Sequence, residues 1–284
     1  MIGVDIGGTN LLVGIIEDGK VIQRTHDAIS ATGDFDKVAT QVCDAIVTIA
    51  GKSIEAVGIS VAGSVDAETG IVLRAQNLNW DNAPLAEVVS QQLGCNVVIE
   101  NDVNAAAWGE FICGAGTDSD SMFAVWIGTG IGGGLILNKQ LWRGPLGTGG
   151  EFGMGISEQN PEAESRVLEA LASRSGFQKL LCNPSLDAQE IAAQYGIDDT
   201  LTAVVNAGAR RIGTSIANAI TLLSLDLVVL GGGMIESLGE PFAKLIRDQF
   251  EQDVFPPHCK KCQFKLTELG ADAGLLGVAA LATP

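Results

Sequence analysis

Three glycine-rich segments and a few carboxylates hold most of the chemistry this chain could perform. Asp5-Ile6-Gly7-Gly8-Thr9-Asn10, Gly128-Thr129-Gly130-Ile131-Gly132-Gly133-Gly134 and Gly231-Gly232-Gly233 each follow an apolar run. Glycine lets backbone N–H groups approach an anion closely and a threonine adds a hydroxyl donor, so such turns cradle phosphates. Any one alone reads first as a plain tight turn. Three in one chain, two of them at matching places in an internal repeat, point instead to a phosphorylated ligand. Asp5 suits either an Asx turn or a carboxylate holding magnesium beside the phosphates. Asn101-Asp102 lies between an apolar run and the Ala-rich Val103-Asn104-Ala105-Ala106-Ala107-Trp108-Gly109-Glu110. Asp102 is therefore a helix N-cap, or a base that takes a proton from a hydroxyl attacking a γ-phosphate.

Two other patterns carry less. Gly128, Gly130 and Gly133 fit G-x-G-x-x-G, but Gly134-Leu135-Ile136-Leu137 reads as a strand where a dinucleotide-binding fold needs a helix. Gly14 to Lys20 fits G-x-x-x-x-G-K, yet Val21 stands where Ser or Thr is required, so this is a hairpin. The two histidines, His26 and His258, are not among the glycine turns. His258-Cys259 with Cys262 lacks a fourth ligand for tetrahedral zinc, and no zinc is expected.

The elements that would position these residues follow from periodicity. Residues 2–29 read as three strands with a hairpin turn at Asp18-Gly19-Lys20, and Phe35 to Ala50 as a helix with apolar residues spaced three and four apart. A strand over Ala56 to Val61, a helix over Leu85 to Leu93, a strand over Val97 to Glu100 and a helix over Val103 to Cys113 follow. Strands over Met122 to Ile127, Gly134 to Leu137 and Leu141-Trp142 then repeat the opening pattern, which indicates duplication. Helices are expected over Glu162 to Ser173, Asp187 to Tyr195 and Leu201 to Leu223. A strand over Leu225 to Leu230, a further helix, a strand over Phe264 to Leu269 and an apolar helix over Ala273 to Leu281 close the pattern.

Composition narrows the partners. The 284 residues carry 34 acidic against 17 basic side chains, a formal net charge of -17, which disfavours nucleic acid and anionic membranes as partners. Asp5 interrupts the apolar run a signal peptide would need, and no stretch reaches the roughly 20 apolar residues of a spanning helix. The expectation is a cytoplasmic protein. Six scattered cysteines in a chain long enough to bury its own core suit reduced thiols.

Taken in order, VDIGGTN, ENDVNAAAWGE, WIGTGIGGG, LVVLGGGM and LGADAGLLGVAAL resemble the five segments of the actin, hexokinase and heat-shock chaperone ATPase superfold. GISVAGSVDAETGIVLRAQNLNW and GGEFG further resemble the sugar-side segment and sugar loop of the ROK group of sugar kinases and repressors. The resemblance covers essentially the whole chain. It implies a two-lobed α/β, ribonuclease H-like fold of duplicated βββαβαβα units with a nucleotide cleft between lobes. Residues 1–113 plus 272–284 would form a smaller lobe and 114–271 a larger one.

The same resemblance makes Asp102 the general base. Gly63, Asn77, Asn101, Glu151 and Glu169 become sugar contacts, and Gly7, Gly8, Thr9, Asn10, Gly128, Thr129, Gly130, Gly231, Gly232 and Gly233 nucleotide contacts. Asp5 would hold magnesium, directly or through water. The chain departs from the family at Met154, usually a His, and at Arg166-Val167-Leu168-Glu169-Ala170, where a cysteine-rich zinc motif is usual; both point to a zinc-free member. Asn10 stands where many members have Lys. An added N-terminal helix-turn-helix, as in the repressor branch, is not expected. The implied activity is ATP- and magnesium-dependent phosphorylation of a hexose, glucose first, by a homodimer or homotetramer. The alternatives are fructose, mannose or an N-acetylated amino sugar as substrate, or a catalytically silent sugar-binding regulator.

Overall fold

The computed structural model describes residues 1–29, 33–51, 54–160 and 162–283. The chain divides into two units, Met1–Thr117 with Leu141–Gly149 and Ala271–Pro284, and Asp118–Gln140 with Gly150–Gly270. The segment Leu141–Gly149 lies with the first unit, whereas the sequence had assigned it to 114–271.

In the first unit, alternating apolar residues form the meander β1 (Ile2–Ile6), β2 (Asn10–Glu17) and β3 (Lys20–Ala28). Asp18 and Gly19 both have positive φ, the conformation a two-residue hairpin requires. Helix α1 (Phe35–Ala50) is capped by Asp34, whose side chain accepts from the Lys37 N–H, and it buries Val38, Val42, Ile46 and Ile49. Strand β4 (Ala56–Val61) pairs parallel with β1. The short strands β5 (Ser64–Asp66), β6 (Ile71–Ala75) and β7 (Trp80–Ala83) form an antiparallel sheet that periodicity did not reveal. Helix α2 (Leu85–Leu93), strand β8 (Asn96–Asn101) and helix α3 (Asp102–Cys113) complete the run, giving the sheet order β3-β2-β1-β4-β8.

The second unit repeats the plan. A meander of β9 (Met122–Ile127), β10 (Ile131–Leu137) and β11 (Gln140–Leu141) is followed by α4 (Leu168–Ala172), α5 (Arg174–Leu180), α6 (Ala188–Gln194) and α7 (Asp199–Leu223). Then come β12 (Leu227–Gly231), α8 (Gly233–Asp253) and β13 (Gln263–Leu266), in the sheet order β11-β10-β9-β12-β13. In both sheets the first meander strand pairs antiparallel with the second and parallel with the strand on its other side. Strand β12 is buried along its length and reads as a continuous apolar run, as a central parallel strand should.

Two expectations need correction. The helix expected over Glu162 to Ser173 is only α4, because the preceding backbone is occupied elsewhere: Ser157 and Glu158 N–H both donate to the Arg166 carbonyl, and Ile156 bridges Val167. Strand β10 starts at Ile131 rather than Gly134. A side chain at Gly133 would strike the Phe123 ring, the Phe152 Cβ and the Gly150 carbonyl, so the glycine lets these groups close over the strand.

Helix α9 (Ala273–Leu281) belongs to the first unit and is apolar all round, as a helix buried on every side must be. It packs on β1 and β4 and crosses α3 through small residues. A Cβ at Gly277 would overlap the Ala105 carbonyl, one at Gly109 the Ala273 carbonyl, and one at Gly58 the Val278 carbonyl. Gly277→Val is expected to destabilise the protein by about 3 kcal/mol or more, since backbone rather than a movable side chain opposes the new methyls. Chemical denaturation of the variant checks this; a midpoint unchanged from wild type would contradict the packing.

Candidate active site

The first unit gathers most of the carboxylate chemistry at the C-terminal ends of its parallel strands. Asp5 on β1 faces Ser60, its register partner on β4, and the Ser60 hydroxyl donates to Asp5 Oδ1 at 2.6 Å. The turn after β1 is closed by Gly7 N–H donating to the Asn10 carbonyl at 2.9 Å. Gly8 lies against the Asn77 side chain, so the first glycine turn and Asn77 are brought together. The side chains of Thr9 and Asn10 are joined at 3.2 Å, Asn10 donating.

The N-cap of α3 is Asn101 and not Asp102. Asn101 Oδ1 accepts from the N–H groups of Val103 and Asn104, both at 3.0 Å. Its Nδ2 donates to the Gly63 carbonyl at 3.0 Å and to Asp102 Oδ1 at 2.9 Å. One amide thereby joins three of the residues picked from the sequence. Desolvation, helped by repulsion from Asp5, pushes the Asp102 carboxyl up to about 7, against the pull of nearby N–H donors. Burial also raises Asp5, with the Ser60 hydroxyl opposing.

Sequence reasoning missed the support beneath this group. Glu100 is 1% exposed; its Oε1 accepts from Asn101 N–H at 3.0 Å and from Asn104 Nδ2 at 3.1 Å. Arg143 Nε donates to the other oxygen at 2.5 Å, which ties Leu141–Gly149 to the start of α3. A buried charge needs such a partner, and the signal was a glutamate at the end of an otherwise apolar strand.

Magnesium is a hard cation that takes oxygen ligands. Asp5 offers hard carboxylate oxygens, and its repulsion with Asp102 is the kind of strain a divalent cation relieves, so the donor set fits. Among the described residues no group of three or more His, Cys, Asp or Glu side chains is gathered for a metal. Burial pushes the Cys262 thiol up to about 12, so it packs as an inert thiol.

In the second unit, Gly128-Thr129-Gly130 turns between β9 and β10, with Gly128 N–H donating to the Gly130 carbonyl at 2.9 Å. Glu169 on α4 accepts from Ile131 N–H at 2.8 Å, and its carboxylate fills the space a side chain at Gly130 would need. Gly153, two residues after Glu151, lies against the Ile131 carbonyl and Glu169 Cβ, so the GGEFG loop packs at the same turn. Glu151 and Met154 are exposed, Met154 by 48%. Gly231 lies on the Trp126 indole, and Gly232, at φ 90°, lies on Ile127, so the second and third glycine turns adjoin. Arg174 was also missed: its backbone N–H donates to the Gly128 carbonyl at 3.0 Å and its Nη2 to Thr129 Oγ1 at 2.6 Å.

No helix among the described residues is long and apolar enough to cross a membrane. The ROK family profile matches residues 1–284. The chain is 33% identical to a glucokinase of Thermotoga maritima, covering 99% of this chain and 96% of that protein. It is 30% identical to an N-acetylmannosamine kinase of Vibrio cholerae, covering 90% and 93%. A ROK family glucokinase from Streptomyces griseus, solved with glucose and AMPPNP, superposes with a TM-score of 0.85 at 31% identity, covering 99% of this chain and 98% of that one. With its three glycine turns and its Asn101-Asp102 pair, the chain belongs to the ROK family, as a sugar kinase of the actin-like ATPase fold.

Proposed function

We propose that the protein transfers the γ-phosphoryl group of ATP to a hexose hydroxyl, with glucose the first substrate and glucose 6-phosphate the product. The observation that carries this reading is the Asp102 carboxyl, held by Asn101 and raised to about 7, where it can exchange a proton near neutrality. Ionised Asp102 takes the proton of the attacking hydroxyl as its oxygen bonds to phosphorus and the bond to the ADP leaving oxygen breaks. Asn101, Gly63, Asn77, Glu151 and Glu169 are proposed as sugar contacts. Gly7, Gly8, Gly128, Gly130 and Gly231–Gly233, with Thr9, Asn10 and Thr129, are proposed to face the nucleotide. Asp5 would hold magnesium, which supplies charge neutralisation at the phosphoryl oxygens.

The relatives favour two substrate classes. The glucokinases of T. maritima and S. griseus support glucose, and the V. cholerae enzyme supports an N-acetylated amino sugar as the second reading. The exposed Met154 on the GGEFG loop favours keeping that second reading, because it gives the loop an apolar, adaptable side chain. ATP-dependent ADP release with a panel of hexoses and amino sugars tests both. Sugar-dependent turnover names the class, and folded protein inert towards every sugar would contradict the kinase reading.

Asp102→Asn is expected to lower kcat by roughly a hundredfold or more while sugar affinity changes little. Near-normal turnover in that variant would remove Asp102 as the base. In the wild type, kcat/KM should rise with pH through about 7 as Asp102 ionises, and a flat profile from pH 5.5 to 8 would contradict this. The same shift bears on folding. An acid whose pKa is raised from 3.8 to about 7 contributes stability below 3.8 that is lost as pH rises towards 7. Asp102→Asn should therefore be more stable than wild type at pH 8 by roughly 2 kcal/mol, with the difference shrinking at pH 4, as read by urea denaturation.

A further inference from the structure

A cavity of about 490 Å³ in the second unit is lined by Arg174, Gln189, Ala192, Gly233, Glu236 and Ser237. Its size falls within the range of small-molecule sites. Among the described residues of its lining Arg174 is the one cation, and the guanidinium has one fixed end. Nη2 donates to Thr129 Oγ1 at 2.6 Å, while the buried Nε has no hydrogen-bond partner. A buried guanidinium N–H without an acceptor is costly, and it marks where an anionic oxygen would be favourable.

None of Gly7 to Asn10, Gly128 to Gly130 or Gly231 to Gly233 is basic, so the proposed nucleotide contacts bring dipoles but no positive side chain to a polyanion. Arg174 is anchored at the second of these turns through its side chain and through its backbone N–H to the Gly128 carbonyl. The cavity is also polarised. Glu236 would repel phosphates but can accept from hydroxyl or amino groups, so the anionic end of a ligand belongs on the Arg174–Thr129 side and the neutral end near α6 and α8.

We propose that Arg174 binds the phosphate chain of a nucleoside di- or triphosphate beside Thr129, with the nucleoside end towards Gln189, Glu236 and Ser237. This rests on the kinase reading above and adds to it the residue that separates nucleotide from nucleoside.

The test is titration calorimetry of ADP and of adenosine against wild type, Arg174→Ala and Arg174→Lys, with circular dichroism to confirm folding. Loss of a charge-assisted contact should weaken ADP about tenfold or more in Arg174→Ala. Adenosine affinity should change less than about twofold, and Arg174→Lys should recover part of the loss by restoring the charge without the fork. Equal weakening of both ligands, or an unchanged ratio in protein that still phosphorylates a sugar, would overturn the Arg174 assignment alone. Wild-type protein that binds neither ligand would overturn it together with the kinase reading.

Discussion

Two carboxyl groups that repel one another must be kept near each other and short of water. Asp5 and Asp102 sit at the ends of different elements, and neither would stay there without being held: Ser60 holds the first and Asn101 the second. Asn101 can do this because its own backbone is fixed by Glu100, which is fixed in turn by Arg143. The chain of dependence runs outward from the reactive groups to a buried ion pair. A buried pair of this kind adds little net stability but is costly to break from one side. Its effect here is positional: it sets where helix α3 begins, and so where Asp102 points.

The second unit solves a different problem, bringing backbone amides close together without side chains in the way. Its glycines do so by close contact: Gly231 with the Trp126 ring, Gly232 with Ile127, and Gly130 with the carboxylate of Glu169. Glu169 is bound to the amide of Ile131 directly beneath the turn, so its charge helps to hold the strand that follows Gly130. The sequence marked Glu169 as a sugar contact on the strength of the family alone; its bond to the turn gives it a structural part as well.

Much of the architecture was legible because it rests on long, regular patterns. The spacing of Val38, Val42, Ile46 and Ile49 marks one face of α1, and the bounds of α1, β4, α2, β9 and α9 agree with the sequence reading to the residue. Short elements escaped, since the three to five residues of β5, β6 and β7 are too few to show a period. The stretch before α4 was misread because an amphipathic pattern does not reveal that Arg166 accepts hydrogen bonds from another strand of chain. At the site, the residue types were visible and their division of labour was not. Asn and Asp are both good caps, and only the geometry shows that Asn101 takes the cap. Arg143 and Arg174 were invisible for a related reason: each acts through a partner distant in sequence, Glu100 or Thr129.

The place of α9 carries a consequence for how the protein is made. Gly277 meets Ala105, and Gly58 meets Val278, so a segment near the end of the sequence closes a core whose other walls lie before residue 118. During synthesis the whole of residues 118–270 leaves the ribosome before α9 does. The second unit can therefore reach its native contacts while the first still exposes the faces of β1, β4 and α3 that α9 covers. Those apolar faces stay uncovered until α9 arrives, and transiently exposed surface of this kind is what makes a nascent chain prone to aggregate.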